Sequence, residues 1–473
     1  MFVKFVPKIT NMSPEATDAQ NVAALISRDF DTILAELVSL VRIPSVSWSA
    51  FDPHQVQLSS EAVATLASGL GFFDRVEILQ SQKSDGSGLG QPAVVATRAA
   101  KNGRPTVLLY AHHDVQPPGL DSDWQTPPFE PVIIGERMFG RGAADDKAGV
   151  MSHIASLRAL VEFSEEVDVG IVLYVEGEEE FGSPSFQNFL SDHRAMLASD
   201  IIIVADSGNW SASIPALTVS LRGNVTFKLS VRTLDHALHS GMFGGVVPDA
   251  MLAMIHLLAT FHTADGSVAV AGLTSNSPET VAYDELQLRE ESGLLAGVSP
   301  LGSGTYLNRI WNQPAITVTG IDAPNIANAS NTLLPAVSVR VSVRVAPGQS
   351  AVDAAEAVAS HIMAKAPWGV VPEISEVSTG EPFLADTSGS AAHAAREAMA
   401  DAWGVTPVDM GVGGSIPFIS DFVAMFPHAQ ILVTGVEDPD SRAHSPNESL
   451  HLGAFEKAIV AQSLLLVRLN SGQ

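Results

Sequence analysis

Four segments of the sequence carry side chains that bind metal ions or move protons in proteins. Each follows a short run rich in Val, Ile and Leu, which is typical of a buried strand. In chain order the segments are His112-His113-Asp114, Glu176–Glu180, Asp206 and, beyond a loop, His444. In open α/β sheets, ligands gather beyond the carboxyl ends of the strands. We therefore predict that these four segments meet at one site.

Two short motifs have a spacing that suits a metal centre. In an extended strand His112 and Asp114 point to the same side, so the carboxylate can accept the second N–H of the imidazole and fix its tautomer. Asp145 and Asp146 stand together just before an apolar helix that begins near Lys147. Such a pair could cap the helix. Alternatively, one of the carboxylates could bridge two metal ions, because each of its oxygens can bind one.

The run 176–180 packs four glutamates into five residues. An acidic run is usually a solvated surface, but here the preceding strand delivers the run to the edge of the sheet. One glutamate could then bind a metal ion while its neighbour moves protons. The chain contains no cysteine, which excludes disulfides, thiolate nucleophiles and Cys-ligated zinc. Any metal ligands must therefore be His, Asp or Glu.

Composition narrows the class of protein. The 473 residues, 46% hydrophobic and 16% charged, predict a globular chain of two or three domains. The formal net charge of −26 argues against a nucleic-acid or anionic-membrane partner, because there is no surplus of basic side chains. Residues 1–7 lack the features of a signal peptide, and no apolar run approaches the ~20 residues of a membrane helix. We expect a soluble cytoplasmic protein.

The apolar patterns predict an α/β catalytic domain with a mixed, largely parallel sheet flanked by helices. Its first element is a helix over 21–41. Its buried strands span 106–111, 169–175, 201–205 and 430–434. We place this domain at 1–215 and 379–473.

A second pattern, of strict alternation, predicts an α+β domain inserted at 216–378. Apolar and polar residues alternate at 225–231, within 217–234, and again at 337–345, which indicates half-buried strands. Helices are predicted at 248–263, with Pro248 in the first turn, and at 351–366.

Taken in order, the motifs resemble the M20 family of metallopeptidases, the relatives of carnosinase and carboxypeptidase G2. They are His-x-Asp at 112–114, Gly-Arg-Gly-x-x-Asp-Asp-Lys at 140–147, Glu-Gly-x-Glu-Glu-x-Gly-Ser at 176–183, Asp206 and His444. The resemblance extends from about residue 35 to the C-terminus. One departure is His113, where an aromatic or aliphatic residue is frequent in the family; we treat it as a neighbour of the site.

The resemblance implies two divalent ions, Zn²⁺ or alternatively Mn²⁺ or Co²⁺. The implied ligands are His112, Asp145 and Asp206 for one ion, and Asp145, Glu180 and His444 for the other. Asp145 would thus bridge the two ions. Glu179 falls at the family's general base position, where it activates a water between the ions, and Asp114 at the position that orients His112. The family also has a cis peptide after the bridging residue, here Asp145-Asp146.

For the inserted domain the resemblance implies a role as lid and dimerisation domain. His239 would polarise the scissile carbonyl in a neighbouring subunit's site, which implies a homodimer. Arg344 would hold the substrate α-carboxylate through its bidentate fork. Gly414 and Ser415 would contact the same end of the substrate. Without the resemblance, His239 would be a loop histidine and Arg344 an exposed strand arginine.

The implied activity is hydrolysis of peptide bonds in dipeptides or other short peptides. Asp rather than Glu at 206 is similar to the dipeptidase and tripeptidase branches, and the segments 114–117 and 443–448 resemble the carnosinase and dipeptidase subgroup. The alternative is an N-acyl- or N-carbamoyl-amino-acid amidohydrolase with the same metal centre. A non-catalytic scaffold protein is disfavoured because every ligand position and Glu179 are filled.

Overall fold

The computed structural model describes residues 17–414 and 417–472, with the backbone alone at Pro417. The predictions for residues 1–7 and for Ser415 therefore lie outside the described residues.

The helices are α1 Asp18–Val41, α2 Pro53–Gly69, α3 Lys147–Phe163, α4 Phe186–Asp192, α5 Arg194–Leu197, α6 Ser240–Phe243, α7 Ala250–Ala259, α8 Glu285–Ser292, α9 Tyr306–Trp311, α10 Ala351–Lys365, α11 Ser390–Trp403, α12 Pro417–Met425 and α13 Leu452–Ser471. Within these ranges, none of the helices is long and apolar enough to span a bilayer.

The strands range from fully buried, as in β6, to largely exposed, as in β11. They are β1 Arg75–Leu79, β2 Ala93–Arg98, β3 Thr106–His112, β4 Val132–Ile134, β5 Arg137–Phe139, β6 Gly170–Glu176, β7 Ile201–Val204, β8 Ala216–Leu221, β9 Gly223–Arg232, β10 Leu238–His239, β11 Ala315–Asp322, β12 Thr332–Leu333, β13 Ala336–Val345, β14 Glu373–Gly380, β15 Phe383–Leu384, β16 Val408–Val412, β17 Gln430–Val433 and β18 Ser449–His451.

The chain divides into two compact units. The described part of the first comprises 17–219, 385–410 and 421–472, and that of the second comprises 220–384, 411–414 and 417–420. The sequence placed the corresponding boundaries at 215/216 and 378/379.

The first unit is built on a mixed sheet with a parallel centre. Its strand order is β1-β2-β6-β3-β7-β17-β8, and the three pairings from β6 to β17 are parallel. Strands β3, β6 and β7 are buried almost throughout, as parallel strands covered on both faces must be. The predicted fold class, a mixed and largely parallel sheet flanked by helices, is confirmed.

Helices α1, α3, α11 and α13 pack together against this sheet. α1 begins with a capping box, in which the Thr17 side chain accepts from the Gln20 N–H and the Gln20 side chain accepts from the Thr17 N–H. The helix therefore starts three residues before the predicted Asn21. A separate three-stranded sheet, β18-β5-β4, lies in the same unit.

The second unit has an antiparallel sheet of order β11-β13-β9-β14 with α7 and α10 against one face. Burial alternates strictly along β9 and β13, so their apolar residues form the core with the two helices. This confirms the two predicted half-buried strands, and the segment 217–234 also contains most of a second strand, β8.

One helix start was wrongly predicted. α7 begins at Ala250, and its N-cap is Asp249, whose side chain accepts from the Leu252 N–H. Pro248 therefore lies outside the helix, because Asp249 takes the N-cap position and its carboxylate accepts one of the free N–H groups of the first turn. The helix also ends at Ala259, four residues before the predicted Thr263.

Candidate metal centre

Four adjacent parallel strands bring the predicted segments to one edge of the sheet. The order β6-β3-β7-β17 aligns their carboxyl ends, as the parallel pairings require. His112 is the last residue of β3, and the glutamates of 176–180 end or follow β6. Asp206 follows β7 by two residues, and His444 lies in the loop between β17 and β18.

The side chains form two groups with metal-ligand spacing. One contains His112, Glu179 and Asp206 and the other Asp145, Glu180 and His444, and in each the ligand atoms lie within 4.8 Å of one another. Asp145 contacts both groups. Its Oδ1 lies 3.1 Å from His112 Nε2, and its Oδ2 lies 3.0 Å from His444 Nε2. Each oxygen of one carboxylate therefore faces a different imidazole.

The remaining distances define each group. His444 Nε2 lies 3.2 Å from Glu180 Oε2, and His112 Nε2 lies 4.0 Å from Asp206 Oδ1. Glu179, the predicted base, belongs to the group of His112 and Asp206. Its carboxylate therefore lies beside the imidazole of His112 and the carboxylate of Asp206.

Asp114 holds both glutamates as well as His112. His112 Nδ1 lies 3.1 Å from the Asp114 carbonyl oxygen and 3.4 Å from its carboxylate, so the main chain is the closer acceptor. The Asp114 carboxylate accepts from the N–H groups of Glu179 and Glu180 at 3.1 and 3.2 Å, and from Ser47 Oγ at 2.6 Å. One buried side chain thereby fixes the backbone of the predicted base and of one predicted ligand.

Glu180 is oriented by a side chain that the sequence did not single out. Gln116 donates from its backbone N–H to Glu180 Oε1 at 3.1 Å and from its side-chain amide to Oε2 at 2.7 Å. Gln116 therefore fixes the orientation of both carboxylate oxygens of Glu180 through hydrogen bonds within the protein. In the sequence, the only indication of this role is that Gln116 lies two residues after Asp114, within the segment 114–117 that resembles the dipeptidase subgroup.

The Asp145–Asp146 peptide is cis, as the resemblance predicted. Asp146 stands at the N-cap of α3, but its side chain makes no capping hydrogen bond. Its carboxylate accepts instead from the His112 N–H at 3.1 Å. The capping interpretation is therefore wrong for Asp146, and its carboxylate ties α3 to the end of β3.

Electrostatics at the centre are dominated by crowded carboxylates. Burial, with Asp206 as the leading charged neighbour, raises the pKa of Glu179 well above its usual value. Burial likewise raises the pKa of Asp206, and burial together with Asp145 raises that of Glu180. Hydrogen bonds to Asp145 and Glu180 raise the pKa of His444 to about 11.

These groups suit divalent cations. In the described part of the chain, the ion pairs of Asp145, Glu180 and Asp206 involve only His112 and His444. Two imidazoles do not offset the charge of four neighbouring carboxylates when all are ionised, and a bound cation would do so. Carboxylate and imidazole ligands fit Zn²⁺, Mn²⁺ and Co²⁺.

The other predicted site residues lie in the second unit. His239 ends β10 and is exposed, and its Nδ1 accepts from the Gly241 N–H at 3.1 Å. Because Nδ1 is an acceptor, the neutral ring carries its proton on Nε2, which is then a hydrogen-bond donor.

Arg344 lies on β13 opposite Asn224 and has a second arginine near it. Arg222 is 9% exposed and donates to the Gly413 carbonyl at 3.0 Å, next to the predicted Gly414. Burial and the charge of Arg344 lower the pKa of Arg222 to about 10. Among the described residues neither guanidinium has an acidic ion-pair partner, although Arg222 also donates to the carbonyl oxygens of Arg309 and Gln313.

The family model described as "Peptidase family M20/M25/M40" matches residues 108–468, a range that includes every predicted metal ligand. The chain belongs to this family. It is accordingly a hydrolase of the metallopeptidase type, as the sequence predicted.

Its curated relatives include dipeptidases. Over 379 residues it is 33% identical to the cysteinylglycine-S-conjugate dipeptidase of Corynebacterium striatum, covering 79% of this chain and 83% of that protein. It is 26% identical to the Beta-Ala-His dipeptidase of Rattus norvegicus over 419 residues, 85% of each chain. Among solved structures, the dipeptidase Dug1p of Saccharomyces cerevisiae aligns with a TM-score of 0.75 at 23% identity, covering 96% of this chain and 99% of that one. That likeness shows the shared fold.

Proposed function

We propose that this member of the M20/M25/M40 peptidase family hydrolyses the peptide bond of dipeptides at a centre of two divalent ions. The observation that carries the proposal is Asp145, whose two oxygens contact imidazoles of two different ligand groups. The dipeptidase activity named for the relatives supports the substrate class.

In this proposal His112, Asp145 and Asp206 bind one ion, and Asp145, Glu180 and His444 bind the other. Zn²⁺ is the proposed metal, with Mn²⁺ or Co²⁺ as alternatives. Bound ions polarise a carbonyl oxygen and lower the pKa of water. Asp114 orients His112 through its carbonyl and carboxylate oxygens.

Glu179 is the proposed general base and acid. Its carboxylate takes a proton from the attacking water and later gives it to the nitrogen of the leaving amine. Two hydrogen bonds from the backbone of 179–180 to Asp114 hold it next to His112 and Asp206.

Residues of the second unit would bind the substrate. His239 would donate from Nε2 to the scissile carbonyl, and Arg344 would pair with the terminal carboxylate. Gly414 and Ser415 would contact that same carboxylate end. The acceptor role of His239 Nδ1 supports the proposed donation from Nε2. The binding of a carboxylate by Arg344 is supported because, among the described residues, its guanidinium forms no ion pair with Asp or Glu.

We also propose that the protein is a homodimer in which His239 serves the neighbouring subunit. Measuring the mass of the full chain in solution tests the dimer. Mixing a His239→Ala chain with a Glu179→Gln chain tests the exchange, because restored activity requires complementation between subunits. Location in the cytoplasm stays a prediction.

The substrate class is tested with the metal-stripped full chain, assayed with and without Zn²⁺, Mn²⁺ or Co²⁺. The panel sets free dipeptides beside N-acetyl- and N-carbamoyl-amino acids. We expect metal-restored cleavage of free dipeptides only. Cleavage of only the blocked compounds would place the protein among amidohydrolases, and inactivity towards all of them would contradict a hydrolytic function.

A further inference from the structure

Glu448 lies outside both ligand groups but is bonded to the loop that carries Asp145. Its side chain is fully buried. Oε1 accepts from the backbone N–H groups of Ala144 and Asp145 at 3.0 and 3.1 Å. Oε2 accepts from the Gly142 N–H at 3.0 Å and from Arg141 Nη1 at 2.7 Å. Every one of these four partners belongs to the segment 141–145.

The loop is tight enough to need such an acceptor. Gly142 has φ +81°, and a Cβ there would come within 2.6 Å of the Val115 side chain. Three N–H groups of the loop point to one carboxylate, which is a binding geometry for an anion. A glutamine could accept at only one end, and its NH₂ group would face other donors.

Arg141 extends the connection to two further segments. The arginine is 1% exposed, and besides Glu448 its Nη2 reaches the carbonyl oxygens of Pro117 and Ser445 at 3.5 and 3.4 Å. Pro117 adjoins Gln116, which binds Glu180, and Ser445 adjoins His444. The buried pair therefore contacts the segments of Asp145 and His444 directly, and it reaches Glu180 only through the segment of Gln116.

His444 lies outside the helices and strands. It has φ +62°, lies in a loop, and its side chain is 58% exposed. Glu448 follows it by four residues, just before β18 begins at Ser449. The carboxylate thus joins the loop of His444 to the loop of Asp145, although some 300 positions separate them in the sequence.

We propose that Glu448, with Arg141, positions Asp145 relative to His444 and so tunes the affinity for the ion bound by Asp145, Glu180 and His444. The inference rests on the proposed two-ion centre. Glu448 is a positioning residue and does not contact substrate or metal. Changes to partners that orient metal ligands typically cost about 10- to 100-fold in metal affinity or activity.

A purely structural role would have a different signature. Loss of a buried ion pair lowers stability wherever it lies. Asp438 supplies the matched control, because it is buried, pairs with Arg137 at 3.0 Å and accepts from the Asp440 N–H. These bonds join β5 to the loop before His444 without touching the backbone of a predicted ligand.

In the experiment, Co²⁺ is titrated into the metal-stripped full chain, and binding is measured by calorimetry and by the visible absorption of bound Co²⁺. The variants are Glu448→Gln and Asp438→Asn, with the unfolding free energy measured for each. We expect the wild type to bind two ions, and Glu448→Gln to bind one normally and the other about 10- to 100-fold more weakly. Excess Co²⁺ should restore turnover in Glu448→Gln, and Asp438→Asn should bind both ions like the wild type.

A double variant identifies the affected ion. Adding Glu448→Gln to His444→Ala should leave the affinity for the remaining ion unchanged, because Glu448 acts on the ion that His444 holds. Should Glu448→Gln fail to fold, Arg141→Lys carries the same titration, since lysine cannot contact Glu448 and the two carbonyls together.

The outcomes separate the two proposals. The positioning role would be overturned if Glu448→Gln bound both ions with wild-type affinity. It would also be overturned if Glu448→Gln and Asp438→Asn weakened the binding of both ions to the same extent. A wild-type chain that binds fewer than two ions would overturn the two-ion centre itself.

Discussion

His112 and His444 contact the same carboxylate from two different kinds of backbone. His112 ends a buried strand, its side chain is 1% exposed, and its Nδ1 bonds the Asp114 carbonyl. His444 lies in a loop with φ +62° and a side chain that is 58% exposed. The first half of the centre is therefore fixed by the sheet, and the second depends on hydrogen bonds between loops.

This difference indicates how rigidity is distributed in the site. Strand β3 can hold His112 because neighbouring strands pair with it on both sides. The loop half relies on Gln116 and Glu448, which are individual side chains. We expect substitutions in the loop half to weaken one ion selectively, with a loss of stability only where they break the buried pair of Glu448 and Arg141. Substitutions in the strand half should lower stability as well as metal binding.

Glu179, in the group of His112 and Asp206, gives the largest expected change in rate because it is the proposed general base. Glu179→Gln should lower kcat by roughly 10²- to 10⁴-fold, the usual contribution of a general acid–base group. Metal content should stay near that of the wild type, measured by elemental analysis after dialysis. Activity retained in this variant would remove Glu179 from the mechanism.

Replacing the two histidines tests the comparison directly. His112→Ala should lose an ion and also destabilise the metal-free chain by roughly 1–3 kcal/mol, because buried groups lose their partner. His444→Ala should also lose an ion but destabilise the metal-free chain less, because the imidazole is 58% exposed and solvent screens its contacts with Asp145 and Glu180. Urea unfolding of the metal-free proteins compares the two variants, and equal destabilisation would break the distinction.

Gln116 tests the loop half with a smaller change. Gln116→Ala removes the 2.7 Å bond to Glu180 Oε2 and should weaken the ion on that side by about 10- to 100-fold. Calorimetric titration of the metal-free chain resolves the two ions. If the affinities for both ions fell together, the effect of Gln116 would not be confined to the loop half of the centre.

Ser47 tests the strand half with the smallest change. Ser47→Ala removes the 2.6 Å bond to Asp114 Oδ2 and should cost roughly 1 kcal/mol of unfolding free energy. The other bonds of Asp114 remain, so both ions should bind as before. A larger effect on metal binding than that of Gln116→Ala would reverse the ranking of the halves.

Much of the fold followed from local pattern. The continuous apolar runs became β3, β6, β7 and β17 with ends within one residue of those predicted. The alternating runs became β9 and β13, because period-2 alternation has one structural solution when one face is buried. The start of α7 was wrongly predicted from Pro248. The helix begins two residues later because the Asp249 side chain caps it.

The sequence by itself determined which residue types stand at the strand ends, and hence that the chemistry is that of His, Asp and Glu with no thiolate. It also carried the motif order that indicated the family. Only the tertiary structure decided that Asp145 faces both imidazoles and that Gln116 and Glu448 hydrogen-bond predicted ligands or their backbone. Periodicity encodes which side of a strand or helix is buried, a local property. Partners some 300 positions apart are selected by strand order and by the requirement that buried donors and acceptors pair, and neither is written in a local pattern.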